Sequence, residues 1–122
     1  MILLYQIQRV SNKILGGNHM KKVINGKLYN TESAKKLGYW SNGISRSDFQ
    51  FCEETLYKTR SGQYFLHGEG GPMTKYAVSC GQNSWSGGEH IEPINEDTAR
   101  KWCEEHLDAD EYISIWDEPK EA

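Results

Sequence analysis

Cysteine and histidine side chains supply the most reactive groups of this sequence. Cys80 precedes a Gly/Ser-rich run and could act as a nucleophile, with His67 or His90 as its base. His67 and Glu69 stand two residues apart, so they could form an acid/base pair if both side chains project to the same side. Nothing in the spacing shows proximity, and a lone cysteine is more often buried packing. The sequence favours a non-enzymatic protein, with a small enzyme built on Cys80, His67 or His90 as an alternative.

A second set of residues has the types that bind zinc. Cys103 and His106 are separated by three positions on one expected helix, and Cys80 with His90 could complete a tetrahedral set. The chain contains no CxxC or HxxxH pair, which makes the zinc pattern weak. In the competing interpretation, Cys103 packs in the core and His106 lies at the C-terminal end of the helix, where a positive charge interacts favourably with the helix dipole. We therefore expect no metal and no cofactor.

Charge is divided unequally along the chain. Residues 1–88 hold 11 Lys/Arg and 5 Asp/Glu, whereas residues 89–122 hold 3 and 12, so the formal balance changes from +6 to −9. A surface of one sign attracts a partner of the opposite sign, and an acidic surface repels phosphate. The acidic third therefore indicates a positively charged partner, although solvated acidic helix faces that serve only solubility give the same pattern.

The basic residues keep direct nucleic-acid binding open as an alternative. They are interleaved with Tyr29, Tyr39 and Trp40, and aromatic rings between cations are typical of nucleic-acid-binding surfaces. This set comprises Lys21, Lys22, Lys27, Lys35, Lys36, Lys58, Arg60 and Lys75. A sequence pI near 5.8 works against it unless the two signs occupy opposite faces of the molecule.

Size and composition predict one folded cytoplasmic domain. The chain has 122 residues, of which 37% are hydrophobic, enough for a single core. Its 4 Trp, 7 Tyr and 3 Phe argue against disorder. The 3 cysteines are widely spaced and odd in number, which favours a reducing cytosol over a disulfide framework. No apolar run approaches the roughly 20 residues of a membrane-spanning helix, so we expect no membrane partner.

The first 19 residues require separate treatment. Residues 15–20, LGGNHM, can be back-translated into a string that contains AGGAGG just upstream of an ATG codon. That arrangement is typical of a ribosome-binding site, so we predict that Met20 is the natural start and that residues 1–19 are a mis-annotated extension. The alternative is an ordinary disordered arm.

The strongest strand signal covers residues 49–67. Apolar residues alternate on both faces of this segment, and residues 59–62 supply a turn, which predicts a central β-hairpin with both faces covered. Residues 90–94 resemble an edge strand, because Pro93 cannot donate a ladder hydrogen bond. These strands predict a small antiparallel sheet.

Five shorter segments within residues 21–88 have weaker signals for secondary structure. Residues 21–29 predict a small hairpin about an Asn-Gly turn. Residues 31–37 predict a short helix that a polar cap begins and a glycine ends. Residues 39–43 predict an aromatic turn, residues 73–80 a second short helix, and residues 81–88 a Gly/Ser-rich loop that carries one large aromatic side chain.

Two helices are expected near the C-terminus. Asn95 caps the first helix, whose apolar residues recur at the helical period and form one stripe: Ala99, Trp102, Cys103 and Leu107. Residues 108–111 resemble a capping box that leads into a second helix. Residues 117–122 are a frayed acidic tail. The fold class we predict is α+β, with residues 20–116 as one domain in which the first helix packs on the sheet through Trp102 and Leu107.

Several segments together resemble a known family. Residues 23–34 (VINGKLYNTESA), 54–58 (ETLYK), 65–71 (FLHGEGG) and 84–89 (SWSGGE) resemble small, largely uncharacterised proteins of phages and mobile elements in Gram-positive bacteria. The resemblance covers roughly residues 20–116. Members of the family lie near anti-defence genes, so the resemblance implies an anti-CRISPR protein or a related inhibitor. It implies no catalytic residues.

Two features could bind the partner of such an inhibitor. Trp40 and Trp85 are predicted as exposed anchors, since tryptophan concentrates binding energy at interface centres. Acidic side chains are predicted to form one continuous surface that imitates nucleic-acid phosphates before a basic cleft: Glu89, Glu92, Glu96, Asp97, Glu104, Glu105, Asp108, Asp110 and Glu111. We therefore expect a non-enzymatic inhibitor that binds a host defence protein such as a CRISPR effector. The alternatives are a small regulatory DNA-binding protein of a mobile element and the enzyme described above.

Overall fold

The computed structural model describes residues 19–122, in which eight β-strands are followed by two α-helices. The strands are β1 Lys21–Ile24, β2 Lys27–Asn30, β3 Lys35–Ser41, β4 Cys52–Lys58, β5 Tyr64–Gly70, β6 Val78–Gly81, β7 Ser84–Ser86 and β8 Gly88–Ile94. The helices are α1 Glu96–His106 and α2 Ala109–Trp116. The predicted α+β class is confirmed. The predictions for residues 1–18 lie outside the described part of the chain.

The central layer is a four-stranded antiparallel sheet with the order β3-β4-β5-β8. Strands β4 and β5 form the predicted hairpin, and the Thr59 amide donates to the Gln63 carbonyl across its turn, at 2.8 Å. Strand β4 begins at Cys52, three residues later than the predicted start at residue 49. Phe49 lies before the strand and is 63% exposed. Strand β8 is an edge strand, as its proline predicted.

Both helices cover one face of this sheet. The N-cap Asn95 side chain accepts the Thr98 amide at 2.8 Å, and the predicted capping box of α2 is present. The helical stripe packs on alternate residues of β4 and β5, which gives a core of Leu56, Tyr64, Leu66, Ala99, Trp102 and Cys103, with Leu107 partly buried against it. The predicted helices and their packing are confirmed.

The opposite face of the sheet is covered by the β1–β2 hairpin. Asn25 and Gly26 form its turn with φ values of 52° and 76°, as an Asn-Gly pair predicts. Tyr29 packs edge-on against Phe65 with ring centroids 5.5 Å apart, and Ile91 completes this second core. Apolar residues alternate on both faces of β4 and β5 because each face is covered.

The helix predicted at residues 31–37 is wrong. The Asn30 side chain accepts the Glu32 amide at 3.0 Å, which forms a turn, and the chain then continues as β3 along the edge of β4. Gly38 does not end a helix: a Cβ atom there would lie 2.9 Å from Leu107 Cδ1, so glycine allows β3 to approach the helical layer. The predicted aromatic turn at 39–43 is also wrong, because its aromatic residues belong to β3.

The second predicted helix, at residues 73–80, and the loop at 81–88 are wrong as well. Turns occupy the segment before residue 78, where the Thr74 amide donates to the Gly71 carbonyl at 3.2 Å. Residues 78–86 then form the β6–β7 hairpin, in which Val78 lies opposite Ser86. Asn83 has a φ of 58°, so the polar run that predicted a loop supplies a hairpin turn.

Candidate functional site

Three glutamates form a row across adjacent strands on the sheet face that the β1–β2 hairpin covers. Glu53 of β4 lies directly opposite Glu69 of β5, and Glu69 lies directly opposite Glu89 of β8. Glu69 shares its face with the buried Phe65, because residues two or four apart on a strand project to the same side. Opposed like charges in a sheet are destabilising. The row therefore costs stability and requires nearby cations.

Among the described residues, the basic side chains of Arg46 and His67 contact the row. The Arg46 guanidinium forms an ion pair with Glu53, and its Nη1 lies 3.7 Å from Glu69 Oε1. His67, which is 7% exposed, lies 2.8 Å through Nε2 from Glu89 Oε2. His67 and Glu69 do project to the same side, as the predicted acid/base pair requires. The hydrogen bond of His67 nevertheless joins it to Glu89.

Glu69 is the electrostatically disfavoured member of the row. Burial raises the pKa of Glu69 above its ordinary value, and the neighbouring carboxylates of Glu89 and Glu53 raise it further. Arg46 and His67 act in the opposite direction without reversing the shift. An additional positive group beside Glu69 would remove this disadvantage. The row is therefore suited to accepting a cation from a ligand.

Replacing Glu69→Gln is expected to raise the free energy of unfolding at pH 7. Because the folded-state pKa of Glu69 is raised, its ionised form costs folding free energy above that pKa, and the cost disappears as the pH falls through it. The gain should not exceed about 1 kcal/mol, since solvent screens a side chain that is 30% exposed. Urea unfolding at pH 7 and at pH 4 measures it, and a variant less stable than wild type at pH 7 would contradict the account.

An open cleft of about 470 Å³ adjoins the row. It is lined by Glu69 and Glu89, by cationic Arg46 and by residues of the segments that cross the end of the sheet: Ser47, Asp48, Phe49, Phe51, Gly70, Gly71, Pro72, Gly87 and Gly88. We call it the acidic cleft. Phe49 is 63% exposed, and the Met73 amide donates to the Phe49 carbonyl at 2.9 Å, which places the 64%-exposed Met73 beside it. Carboxylates and exposed apolar side chains thus occur together.

The two predicted tryptophan anchors differ in exposure. Trp85 lies on β7, two residues before the cleft-lining Gly87, and is 60% exposed. Trp40 is half-buried, packs against the helix-side core, and contacts the His106 ring, with ring centroids 4.4 Å apart and the two planes tilted by 36°. The prediction that Trp40 is exposed is therefore wrong. Trp85 has the exposure that an anchor needs.

The predicted acidic residues lie on two sides of the sheet. Six exposed acidic side chains of the two helices and the N-cap Asp108 of α2 form a group that we call the acidic helix face. Its members are Glu96, Asp97, Glu104, Glu105, Asp108, Asp110 and Glu111. Glu92 is exposed on β8, on the helix side of the sheet, whereas Glu89 shares the other face with Ile91. One continuous surface that includes Glu89 is therefore wrong, because neighbouring positions of a strand alternate between faces.

A buried carboxylate lies on the helix side of the sheet. Glu54 is 2% exposed and accepts hydrogen bonds from Trp102 Nε1 at 3.0 Å and from the Tyr76 hydroxyl, while Lys75 Nζ lies 2.6 Å from its Oε2. Burial alone would raise the pKa of Glu54, but the hydrogen bonds from Lys75, Tyr76 and Trp102 outweigh it and lower the pKa. His106 Nε2 lies 3.9 Å away. Groups of the chain itself satisfy Glu54, so its role is structural.

Gly68 makes the contact between Tyr76 and Glu54 possible. Gly68 lies directly opposite Glu54 on β5, and a Cβ atom there would be 1.9 Å from Tyr76 Cζ. The Tyr76 ring therefore occupies the space that a side chain would fill. Glu54 thus ties three parts of the fold together: strand β4, helix α1 through Trp102, and the segment that leads into the β6–β7 hairpin.

The cysteines and remaining histidines are dispersed. Cys80 is exposed on β6 with its Sγ 3.2 Å from Ser84 Oγ, and no hydrogen bond within residues 19–122 joins it to a histidine. His90 lies opposite Gly68, on the other face of the sheet from His67. Cys103 is fully buried in the core, as the competing interpretation predicted. Among the described residues, no group of three or more His, Cys, Asp or Glu side chains could hold a metal ion.

Comparisons of the chain with protein-family models, curated proteins and solved structures found no match. Within residues 19–122, neither helix has the length and apolar character needed to cross a membrane. The geometry and charge of the glutamate row and the acidic cleft are therefore the basis for a proposed function.

From the sequence we named Glu89 and Trp85 as binding residues and Glu69 only as a partner of His67, and we did not name Glu53. The pairing of Glu53 with Glu69 could have been found from the predicted hairpin itself, since the turn at residues 59–62 fixes the strand register and places them opposite each other. Arg46 could not, because it lies in an irregular segment whose path depends on tertiary contacts.

Proposed function

We propose that the protein is a non-enzymatic binding protein that holds a basic segment of a protein partner in the acidic cleft. One observation carries this proposal: Glu69, whose pKa is raised, lies between two other carboxylates at the edge of an open cleft. A lysine or arginine side chain from a partner would form charge-assisted hydrogen bonds there. It would also relieve repulsion that the free protein tolerates.

The partner we propose is a nucleic-acid-binding defence protein of a bacterial host, with a CRISPR effector as the leading candidate. Such proteins hold nucleic acid in positively charged channels, which an acidic protein can occupy instead. The resemblance of residues 20–116 to small phage and mobile-element proteins supports this choice. The function would then be inhibition in the cytosol, by competition with nucleic acid for the basic channel.

The two acidic surfaces would act at different stages of binding. The acidic helix face consists of exposed side chains, and exposed charges mainly raise the association rate and its dependence on salt. The two row carboxylates that line the acidic cleft are partly buried, with exposed side-chain fractions of 30% for Glu69 and 21% for Glu89. Pairs formed with partly desolvated charges mainly control dissociation. The acidic helix face would raise the rate at which the partner associates, and the acidic cleft would lower the rate at which it dissociates.

Affinity capture from lysate of a bacterium that carries a CRISPR system tests the proposal. The captured protein is then purified, and its binding is measured at two salt concentrations with and without its nucleic acid. We expect saturable binding that weakens with salt and that nucleic acid displaces. A captured partner that binds with equal affinity in the presence of saturating nucleic acid would contradict the competitive mechanism.

Trp85→Ala is expected to weaken binding of that partner by about tenfold or more, since a central tryptophan is a frequent hot spot. The change should leave the melting temperature nearly unaltered, because Trp85 is 60% exposed. Val23→Ala is the matched control: it removes another exposed apolar side chain, 66% exposed, from strand β1. Equal affinities for the Trp85→Ala variant and wild type would remove Trp85 from the interface.

A further inference from the structure

Two lysines face each other at the other end of the sheet, beneath helix α2. Lys35 of β3 lies directly opposite Lys58 of β4, whereas Lys36, the next residue of β3, lies opposite Tyr57 and projects to the other face. A pocket of about 340 Å³ adjoins Lys35 and Lys58 and is lined by residues of the sheet and of α2: Lys35, Lys36, Leu37, Lys58, Tyr64, Ser114 and Ile115. We call it the lysine pocket. Its charge is opposite to that of the acidic helix face, although α2 contributes to both.

In the part of the chain that the structure describes, no carboxylate neutralises the ammonium groups of Lys35 and Lys58. The only ring contacts of the pocket lysines there place Lys58 Nζ 5.4 Å from the Tyr64 centroid and Lys36 Nζ 5.3 Å from the Tyr39 centroid. Lysines directly opposed in a sheet repel each other. A bound anion would remove that repulsion.

We propose that the lysine pocket binds the phosphate group of a small molecule. The ammonium groups of Lys35 and Lys58 supply up to six N–H donors, and a phosphate offers the strong acceptor oxygens that match them. The pocket volume lies at the lower end of the range for small-molecule sites, roughly 300–1,000 Å³. A phosphate ion or a mononucleotide fits such a volume, and the partly exposed Leu37 and Ile115 offer an apolar surface to the remainder of the ligand.

A single phosphate group is favoured over a nucleic-acid strand by the surroundings of the pocket. A strand would have to extend past α2 and its neighbours, where Asp110, Glu111 and the acidic tail repel successive phosphates. A small ligand enters the pocket alone, and charges more than about 8–10 Å away are largely screened at physiological salt. This inference is independent of the acidic cleft, which lies on the opposite face of the sheet.

NMR titration of the ¹⁵N-labelled full chain tests the inference, with inorganic phosphate and AMP as separate probes at constant ionic strength. We expect saturable shifts centred on the amides of Lys35, Lys36, Lys58 and Ser114. Lys58→Gln should weaken the affinity by about tenfold, because it removes a charge-assisted contact. Lys101→Gln, an exposed change on α1, is the matched control and should leave the affinity unchanged. The tighter of the two probes identifies whether free phosphate or a nucleotide is the ligand.

Two results would overturn the inference. The lysines could instead offset the partial negative charge at the C-terminal end of α2. In that case Lys58→Gln lowers the melting temperature while both probes give only linear, unlocalised shifts. The second contrary result is binding of a 20-base-pair duplex that requires the same lysines, without saturable binding of phosphate or AMP. That result would assign the pocket to a nucleic-acid surface.

Discussion

Glu54→Ala is expected to lower the free energy of unfolding by about 3–5 kcal/mol, as breaking a buried charge network typically does. The substitution leaves the indole N–H of Trp102 and the hydroxyl of Tyr76 without their acceptor, and it leaves a cavity beside the core. A domain of this size is typically stable by about 5–15 kcal/mol, so the variant should be near the limit of folding. Urea unfolding followed by circular dichroism measures the change.

The exposed Glu104→Ala is the control, with an expected change within about 0.5 kcal/mol. A pH series supplies a second check. Because the pKa of Glu54 is lowered in the folded state, its contribution is present above the unfolded-state value and is lost as the pH falls through the folded-state value. The wild type should therefore lose this stability in acid, and Glu54→Ala should not. A cost below about 1 kcal/mol for Glu54→Ala would contradict the structural role.

Glu69→Lys is expected to weaken partner binding by about 100-fold or more, because it places a positive charge where the partner's cation would lie. Loss of a partly buried interfacial charge pair costs about 2–5 kcal/mol, and reversal adds repulsion. Neutralising Glu69 is expected to stabilise the free protein, so loss of the carboxylate alone should not unfold it. Isothermal titration calorimetry with the captured partner measures the dissociation constant.

The melting temperature of Glu69→Lys, measured in parallel, is the control for folding. Glu32→Lys provides a charge-matched comparison, because Glu32 is exposed in the turn between β2 and β3. We expect that variant to bind within about threefold of wild type, with the difference confined to the association rate. If Glu69→Lys and Glu32→Lys weaken binding equally, net charge rather than the cleft determines affinity.

The elements that the sequence predicted correctly are those with local signals. The central hairpin has alternating apolar residues and a clear turn, and the two helices have polar caps at Asn95 and Asp108. Strand β3 has no such signal, since residues 31–38 satisfy a capping pattern while the unpaired edge of β4 requires a strand there. Tertiary pairing outweighed local propensity in this segment.

The glutamate row shows a similar limit at the level of the site. Glu53 and Glu69 follow from the hairpin register, but Glu89 joins them only through the pairing of β8 with β5, which no local pattern specifies. Glu54 could be placed on the same face as Leu56 by alternation. Its burial, however, depends on Trp102 and Tyr76, which approach from distant parts of the chain.

The dissociation rate constant of the partner complex, measured for three proteins side by side, tests the role of the acidic cleft most directly. The proteins are wild type, Glu69→Lys, and a helix variant in which Glu96, Asp97, Glu104 and Glu105 are reversed to lysine. We expect Glu69→Lys to dissociate about 100 times faster, whereas the helix variant should mainly associate more slowly and lose salt dependence. The opposite pattern, with rapid dissociation only of the helix variant, would contradict the cleft as the binding site.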